Sequence, residues 1–429
     1  MKYIPKLLQN PLFKIASLNG LNMGVKVLTG FISSKAIAYF IGPSGMALMG
    51  NLRSFIAILE TAGMLGLQNV IVQNVAKNKE ETLNKTNFVK SIFWFLLVFS
   101  LLLSSFIFIF SNPISKIIFA NQVQFYFIVK LIAIILPFQI VHLFFISVLN
   151  GNFLYKKITI ITIYSYIIGL LISVVLMWNF GIFGALVAMV ILSSVQVLFS
   201  GYFFFKLIDF KLIFLPFYIN WKTLKNTIPL GSMALFSAII SPLLYIYIRN
   251  SIIETSTIVD AGFYEAMQRI SGFYMLFISS FISFYFLPEL SKSTDLVHIR
   301  NLSSKYYKTI MPFFVLLLFL LFISRELLIK IIFTADFLPI SDFFGIQLLG
   351  DFFRALSLIL GIRFYAHKIV KAYFVTEIFS FLILFFSSFI LIPIYGTFGA
   401  ILAYCLTYFL YFLILKLYFY FYDAKNNGK

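Results

Sequence analysis

Charge is what this sequence has least of: Asp, Glu, Lys and Arg together make up 11% of its 429 residues, against 61% hydrophobic ones. So small a polar complement cannot coat a globule of this size, which excludes an ordinary soluble protein. Cysteine is almost absent. Cys405 stands alone in the last apolar segment, so there is no disulfide framework and no cysteine metal site. The chain also has no Gly-rich phosphate loop, no His-Glu-x-x-His motif, no nucleophile elbow and no Cys/His cluster at ligand spacing. With no cofactor or metal site and no site for covalent chemistry, the expectation is that it is not an enzyme. Acidic residues are scarce too, 15 against 33 Lys and Arg, for a net charge of +18. Those basic residues are scattered over many loops and do not form one aromatic-studded patch, so nucleic acid is not the expected partner.

Long apolar runs fill the rest, and the mean hydropathy is +1.00. A spanning helix needs about 20 mostly apolar residues, and runs of that length, punctuated by Gly, Pro, Asn and Lys, number about twelve. They fall near 14–41, 45–76, 88–111, 125–149, 158–178, 182–207, 226–250, 261–288, 306–324, 342–364, 369–393 and 396–420, with 14–41, 45–76, 261–288 and 342–364 broken and amphipathic. Lys2, Lys6 and Lys14 are spread along the start and no small-residue cleavage site follows, so the first segment reads as a retained helix, not a signal peptide. Lys and Arg placement sets the orientation. With the amino terminus in the cytoplasm, the opposite face collects only Lys116, Lys130, Arg249, Arg325 and Lys330; the remaining loop cations, Lys77, Lys79, Lys156, Lys157, Lys292, Arg300, Arg363 and Lys368 among them, gather with the two termini. The expected setting is a bacterial inner membrane with both termini cytoplasmic.

The chain repeats itself. Gly181-Ile182-Phe183-Gly184-Ala185 and Gly396-Thr397-Phe398-Gly399-Ala400 open the sixth and twelfth segments at an offset of 215, and Lys116-Ile117-Ile118-Phe119 and Lys330-Ile331-Ile332-Phe333 recur at 214. This divides the chain into six-helix bundles at 1–210 and 226–429, with 211–225 as a cytoplasmic linker. Both halves enter the membrane in the same sense, so a pseudo-two-fold axis along the membrane normal is expected, with a cavity between the halves.

Within the apolar segments sit Lys26, Lys35, Arg53, Arg269 and Arg354, with Arg249 at the end of the seventh. An embedded cation costs roughly 2.5–3.5 kcal/mol or more, so such residues usually face a cavity and something anionic. The repeat offset carries Lys35 to Arg249 and Arg53 to within a residue of Arg269. Arg53 lies about eleven residues past the Gly42-Pro43 turn, roughly 15 Å deep, whereas Lys35 is near enough to that turn to snorkel. Lys26, nine residues before Lys35, joins it on one face only if the helix bends near Gly30. Glu265 with Arg269 (i, i+4) and Asp351 with Arg354 (i, i+3) have the spacing of intrahelical pairs. Alternatively Glu265 or Asp351, or Glu60 or Glu377, binds a coupling proton or Na⁺. His142 has the pKa range to titrate but reads more simply as a hydrogen-bonded core residue.

The stretch Ser33-Ser34-Lys35-Ala36-Ile37-Ala38-Tyr39-Phe40-Ile41-Gly42-Pro43-Ser44-Gly45, followed by Asn51-Leu52-Arg53, resembles the first two helices of the Wzx-type flippases for O-antigen and enterobacterial common antigen. Pro242-Leu243-Leu244-Tyr245-Ile246 leading to Arg249, Phe286-Leu287-Pro288-Glu289-Leu290-Ser291, Gln347-Leu348-Leu349-Gly350-Asp351 and Pro393-Ile394-Tyr395-Gly396-Thr397-Phe398-Gly399-Ala400 extend the resemblance to the carboxyl end. It implies the all-α multidrug/oligosaccharidyl-lipid/polysaccharide exporter fold, two six-helix bundles in a V around a central cavity. It further implies an undecaprenyl-diphosphate-linked oligosaccharide as substrate, held by Lys35, Arg53, Arg249 and Arg269 with Lys26 and Arg354 nearby. Such a flippase would use a proton or sodium gradient or the membrane potential, beside a polysaccharide polymerase and its chain-length machinery. An ion-coupled multidrug or cation antiporter of the same plan, and a membrane-embedded O-antigen polymerase or ligase, are the competing readings. The first should have a carboxylate-led cavity and the second a large outer loop.

Overall fold

The computed structural model describes residues 11–77, 82–207, 218–292 and 295–426. These residues are helical almost throughout, as a bilayer demands, because each backbone N–H and C=O must find its partner inside the same segment. The order is α1 Pro11–Phe40, α2 Gly42–Gly63, α3 Gln68–Lys77, α4 Thr82–Ile109, α5 Ser111–Ile118, α6 Tyr126–Gly151, α7 Tyr155–Phe205, α8 Trp221–Thr255 and α9 Ile258–Phe281. A π turn, Ile282–Phe286, joins α9 to α10 Leu287–Ser291; then come α11 Leu296–Lys305, α12 Met311–Ile323, α13 Arg325–Ile332, α14 Phe344–Ala366 and α15 Val370–Asn426.

Among the described residues, seven helices are long and apolar enough to cross a membrane, and α2 with α3, bent by 42°, acts as an eighth. Two of the seven, α7 and α15, turn back at a glycine, Gly181 (φ 54°, ψ −131°) and Gly396 (φ 57°, ψ −132°). Each therefore supplies two of the expected segments. The segment expected at 45–76 is broken at Leu65 and Gly66, both with positive φ. The one at 14–41 is not broken: α1 runs without interruption past Gly30, so Lys26 and Lys35 stand on opposite sides of it.

The internal repeat is structural. Gly181 and Gly396 adopt the same mirror-image backbone, open to a residue without Cβ. Three residues on, a Cβ on Gly184 would lie 1.9 Å from the Leu176 carbonyl oxygen, and one on Gly399 would lie 2.1 Å from that of Leu391. Leu176 and Leu391 are themselves 215 positions apart. The short helices α5 and α13 recur likewise, as do the left-handed residues Phe153 and Lys368 that close α6 and α14.

Two compact units form, residues 1–41 with 51–243, and 42–50 with 244–429. The expected linker at 211–225 lies partly outside the described residues, and its remainder opens α8. In the first unit, α6 packs on α4, α3 and α7, and α1 on α7. Its core includes Phe93, Phe144, Phe145 and Phe204, the last two stacked with centroids 4.1 Å apart. In the second, α14 packs on α15, α9 and α12. There the Tyr306 and Tyr307 hydroxyls, at the turn into α12, donate to the α14 carbonyls of Ala355 (2.8 Å) and Leu356 (3.1 Å).

The glycine hairpins yield a direct test. Gly184→Val and Gly399→Val force a side chain into a backbone carbonyl of the adjoining arm, and each should cut the yield of monodisperse protein in fluorescence-detected size exclusion. Gly181→Ala and Gly396→Ala should lower the unfolding temperature by the milder amount that goes with about 1–3 kcal/mol of backbone strain.

Candidate functional site

In the first unit, Lys26 and Lys35 on α1 are exposed and Arg53 on α2 is half-buried. Two residues before Arg53, the fully buried Asn51 donates its side-chain amide to the Ile118 carbonyl at 2.8 Å. That carbonyl is an orphan at the end of α5, so Asn51 caps the short helix from outside. Farther along α2, Glu60 is half-buried and accepts from the amide of the buried Gln139 on α6. His142, one turn beyond Gln139, meets Ser200 Oγ at 2.9 Å through Nδ1, the core-histidine role its sequence suggests.

In the second unit the charges draw together. Arg249 on α8 is 2% exposed and Glu265 on α9 is 5% exposed. Arg249 Nη1 donates to Glu265 Oε2 at 2.8 Å, and Nη2 donates to the Gly50 carbonyl at 3.0 Å. Glycine at position 50 leaves room for this carboxylate, since a Cβ there would lie 2.4 Å from Glu265 Oε2. A second close approach sits beside it: a Cβ on Gly262 would lie 2.0 Å from the Pro43 carbonyl oxygen. The opening turns of α2 thus dock on α9 through two glycines, with the Arg249–Glu265 pair sealed behind them. Glu265 thus has a salt-bridge partner on the neighbouring helix, one that the i+4 spacing to Arg269 does not reveal. Arg269 itself is half-buried on α9.

Asp351 on α14 is 0% exposed and carries no direct bridge to Arg354. It accepts instead from Ser271 Oγ (2.7 Å), from the Tyr274 hydroxyl, from Gln347 Nε2 (3.2 Å) and from the Tyr404 hydroxyl (2.6 Å). A carboxylate has about four lone-pair sites, and four donors occupy them. Arg354 Nη1 donates to the same Tyr404 oxygen at 3.2 Å, and its guanidinium lies over the Tyr408 ring at 5.4 Å. The tyrosine stands between the two charges. Gly350 makes room for it, since a Cβ there would be 2.8 Å from the Tyr404 ring. Glu377 on the first arm of α15 is half-buried and accepts from the Tyr411 hydroxyl of the second arm at 2.6 Å.

A further buried pair was hidden among the loop charges. Arg363, read from sequence as a basic residue of the cytoplasmic face, is 4% exposed and bonds Asp423 at 2.7 Å with its guanidinium 3.9 Å over the Phe419 ring. Its charge is neutralised inside the unit and does not count toward the surface. His367, in the connection just beyond, is held below the ordinary histidine range by burial and then by Arg363.

The candidates thus sort by what each still has to offer. Asp351 is saturated by four protein donors, while Glu265 and Arg249 are paired with each other, Arg249 also with a backbone carbonyl. Arg53 and Arg269, both half-buried inside apolar helices, keep part of their surface open, as do Lys35 and Lys26.

The sequence and the fold both have relatives. The family described as polysaccharide biosynthesis protein matches residues 36–342. The chain is 26% identical over 392 residues to the lipid III flippase of Escherichia coli (strain K12), covering 90% of this chain and 93% of that one, and the lipid III flippase of Shigella flexneri matches to the same extent. Among solved structures, an inward-facing multidrug resistance MATE family transporter of the MOP superfamily superposes with a TM-score of 0.75 at 12% identity, covering 94% of this chain and 96% of that one. The lipid II flippase MurJ in an inward closed conformation gives 0.71 at 18% identity, covering 94% and 86%. These solved structures share the fold of this chain.

The Arg249–Glu265 pair can be tested as a unit. Removing one partner breaks a buried charge pair and should cost about 3–5 kcal/mol, whereas replacing both by apolar residues should be close to neutral. Arg249→Met and Glu265→Leu singly should lose most of the folded protein by size exclusion, and the double variant should recover it.

Proposed function

The chain belongs to the polysaccharide biosynthesis protein family, and we propose that it is a flippase moving an undecaprenyl-diphosphate-linked oligosaccharide, an O-antigen-like repeat unit, from the cytoplasmic to the periplasmic leaflet by alternating access. The observation that carries this reading is the alignment with lipid III flippases, which runs over nine-tenths of the chain. The embedded cations support it from physics. A diphosphate leaving water needs donors that replace its hydration, and charge-assisted hydrogen bonds from Arg are the stronger kind and match its oxygens in pairs. The prenyl tail can stay in lipid while the polar head crosses.

Arg53 and Arg269 lead the proposed diphosphate-binding set, each at matching depth in its own unit. Lys35 adds charge nearer the end of α1, Lys26 lies on the opposite side of that helix, and Arg354 offers the part of its guanidinium that Tyr404 does not take. Arg249 belongs to the set by position in the repeat, but its pairing with Glu265 makes its role one of support. For coupling to a proton or sodium gradient or the membrane potential, Glu60 is the preferred carboxylate: it accepts one amide hydrogen bond, whereas Asp351 accepts four. Glu377 follows. The Lys and Arg distribution supports an inner-membrane setting with both termini cytoplasmic, where a polysaccharide polymerase and its chain-length machinery would take the product. The likeness to multidrug transporters is one of fold at 12% identity and does not favour an antiporter.

Arg53→Gln and Arg269→Gln test the assignment. Losing one buried charged contact costs about 2–5 kcal/mol, so each variant, present in the membrane at the wild-type level, should restore surface polysaccharide to a deletion strain on the order of 30-fold less well or worse. Full restoration by either variant removes that residue from the site.

A further inference from the structure

A groove of about 460 Å³ runs along the first unit between α4 and α6, lined by Leu101, Ser104, Ser105, Phe108, Ala133 and Pro137 among others. It opens on a surface where Leu101, Phe108, Ile109 and Ile134 are exposed, so in a bilayer it faces lipid. Beside it stands Lys130, which precedes the lining residues Ala133 and Ile134 by one helical turn on the same face of α6. The Lys130 ammonium lies 5.4 Å over the Phe108 ring and 5.1 Å over the Tyr126 ring. One turn deeper along α4, Ser104 is 9% exposed and its hydroxyl has no hydrogen-bond partner. Its neighbour Ser105 bonds back to the Leu101 carbonyl, as serines in apolar helices do. An unpartnered hydroxyl at membrane depth is costly unless something brings it an acceptor.

The second repeat carries different residues at the positions that line the groove. At the offsets of 214 for α4 and 215 for α6, Ser104 and Ser105 become Leu318 and Phe319, while Ala133 and Pro137 become Leu348 and Phe352. Every one of these replacements is larger, and Leu318 and Leu348 are buried. Lys130 becomes Gly345, where a Cβ would stand 3.6 Å from the ring of Phe322, the counterpart of Phe108. The same pair of helices thus carries bulky apolar residues and a glycine in one unit, and small residues beside a lysine in the other.

We propose that the α4–α6 groove binds a glycerophospholipid, with its phosphate on Lys130, an ester carbonyl accepting from Ser104 and an acyl chain laid along Leu101, Ile134 and Pro137. The order of groups along the groove matches that of the lipid: cation, then a hydrogen-bond donor about 6 Å deeper, then apolar wall. A polyprenyl phosphate would satisfy Lys130 but has no carbonyl for Ser104, which is why the membrane lipid is the assigned occupant. The proposal is independent of the transport reading.

Native mass spectrometry of the full chain released from detergent, titrated with phosphatidylglycerol or with undecaprenyl phosphate, tests it. The wild-type protein should retain phosphatidylglycerol in preference. Lys130→Gln should weaken retention roughly fivefold, the weight of one basic residue at an anionic lipid surface. The double variant Ser104→Leu/Ala133→Leu, which installs residues the second repeat already accommodates, should abolish the preference while leaving size-exclusion behaviour unchanged. Equal phosphatidylglycerol retention by all three proteins would reduce the lipid to ordinary boundary contact and overturn the proposal. So would undecaprenyl phosphate outcompeting phosphatidylglycerol with the same dependence on Lys130, Ser104 and Ala133.

Discussion

The second unit depends on the ion pair between Arg249 and Glu265. Two charges at membrane depth are tolerable only if each finds its complement within the protein, and here the complement includes backbone: the Gly50 carbonyl takes the second guanidinium nitrogen. Because position 50 has no side chain, the carboxylate can lie against α2; because position 262 has none, the Pro43 carbonyl can meet α9. A short piece of the amino-terminal sequence, residues 42–50, is thereby built into the carboxyl-terminal unit. Asn51, the next residue, makes its buried hydrogen bond within the first unit. The Gly-Pro turn and the Asn-Leu-Arg that follows it therefore serve both units over a few consecutive residues, which gives a structural reason for the ordered motif.

The two repeats share a backbone plan and diverge in chemistry. Their hairpin glycines, the short helices α5 and α13 and the left-handed residues Phe153 and Lys368 correspond. Yet the first unit carries its acid on α2, bonded to a single amide, while the second surrounds Asp351 with four donors and screens it from Arg354 by a tyrosine. Such a divided arrangement suits a carrier. One unit has a polar core whose carboxylate is saturated with donors, and the other has a carboxylate that accepts a single hydrogen bond. The residues lining the α4–α6 groove of the first unit are a further departure from the repeat, small where their counterparts are large.

Much of this architecture can be read from the sequence, because its signals are local. Length and apolarity mark the spans, the recurring Gly-x-x-Gly marks the hairpins, and embedded Arg and Lys mark the residues with something to explain. Partner choice is not local. Helical spacing points Glu265 toward Arg269, and it gives no hint that the arginine sixteen residues earlier, Arg249, bonds it from the neighbouring helix. Arg363 and Asp423 lie near helix ends and look like solvated charges until α14 and α15 bring them together. Tyr404 and Gln139 read as ordinary members of apolar helices, and only the tertiary fold shows that one bridges Asp351 to Arg354 and the other holds Glu60. The bend that would have turned Lys26 toward Lys35 had only Gly30 to support it, and a single glycine at mid-helix does not suffice to break a segment this long.

The central claim is that this fold carries a lipid-linked diphosphate across the bilayer. Purified protein reconstituted into liposomes holding undecaprenyl-diphosphate-linked oligosaccharide in one leaflet, with an impermeant sugar-cleaving enzyme outside, measures that movement directly. The account predicts that the protected pool becomes accessible to the enzyme at a rate proportional to protein content and that Arg53→Gln proteoliposomes stay at the protein-free rate. A protected pool that remains protected in the presence of correctly folded wild-type protein would contradict it.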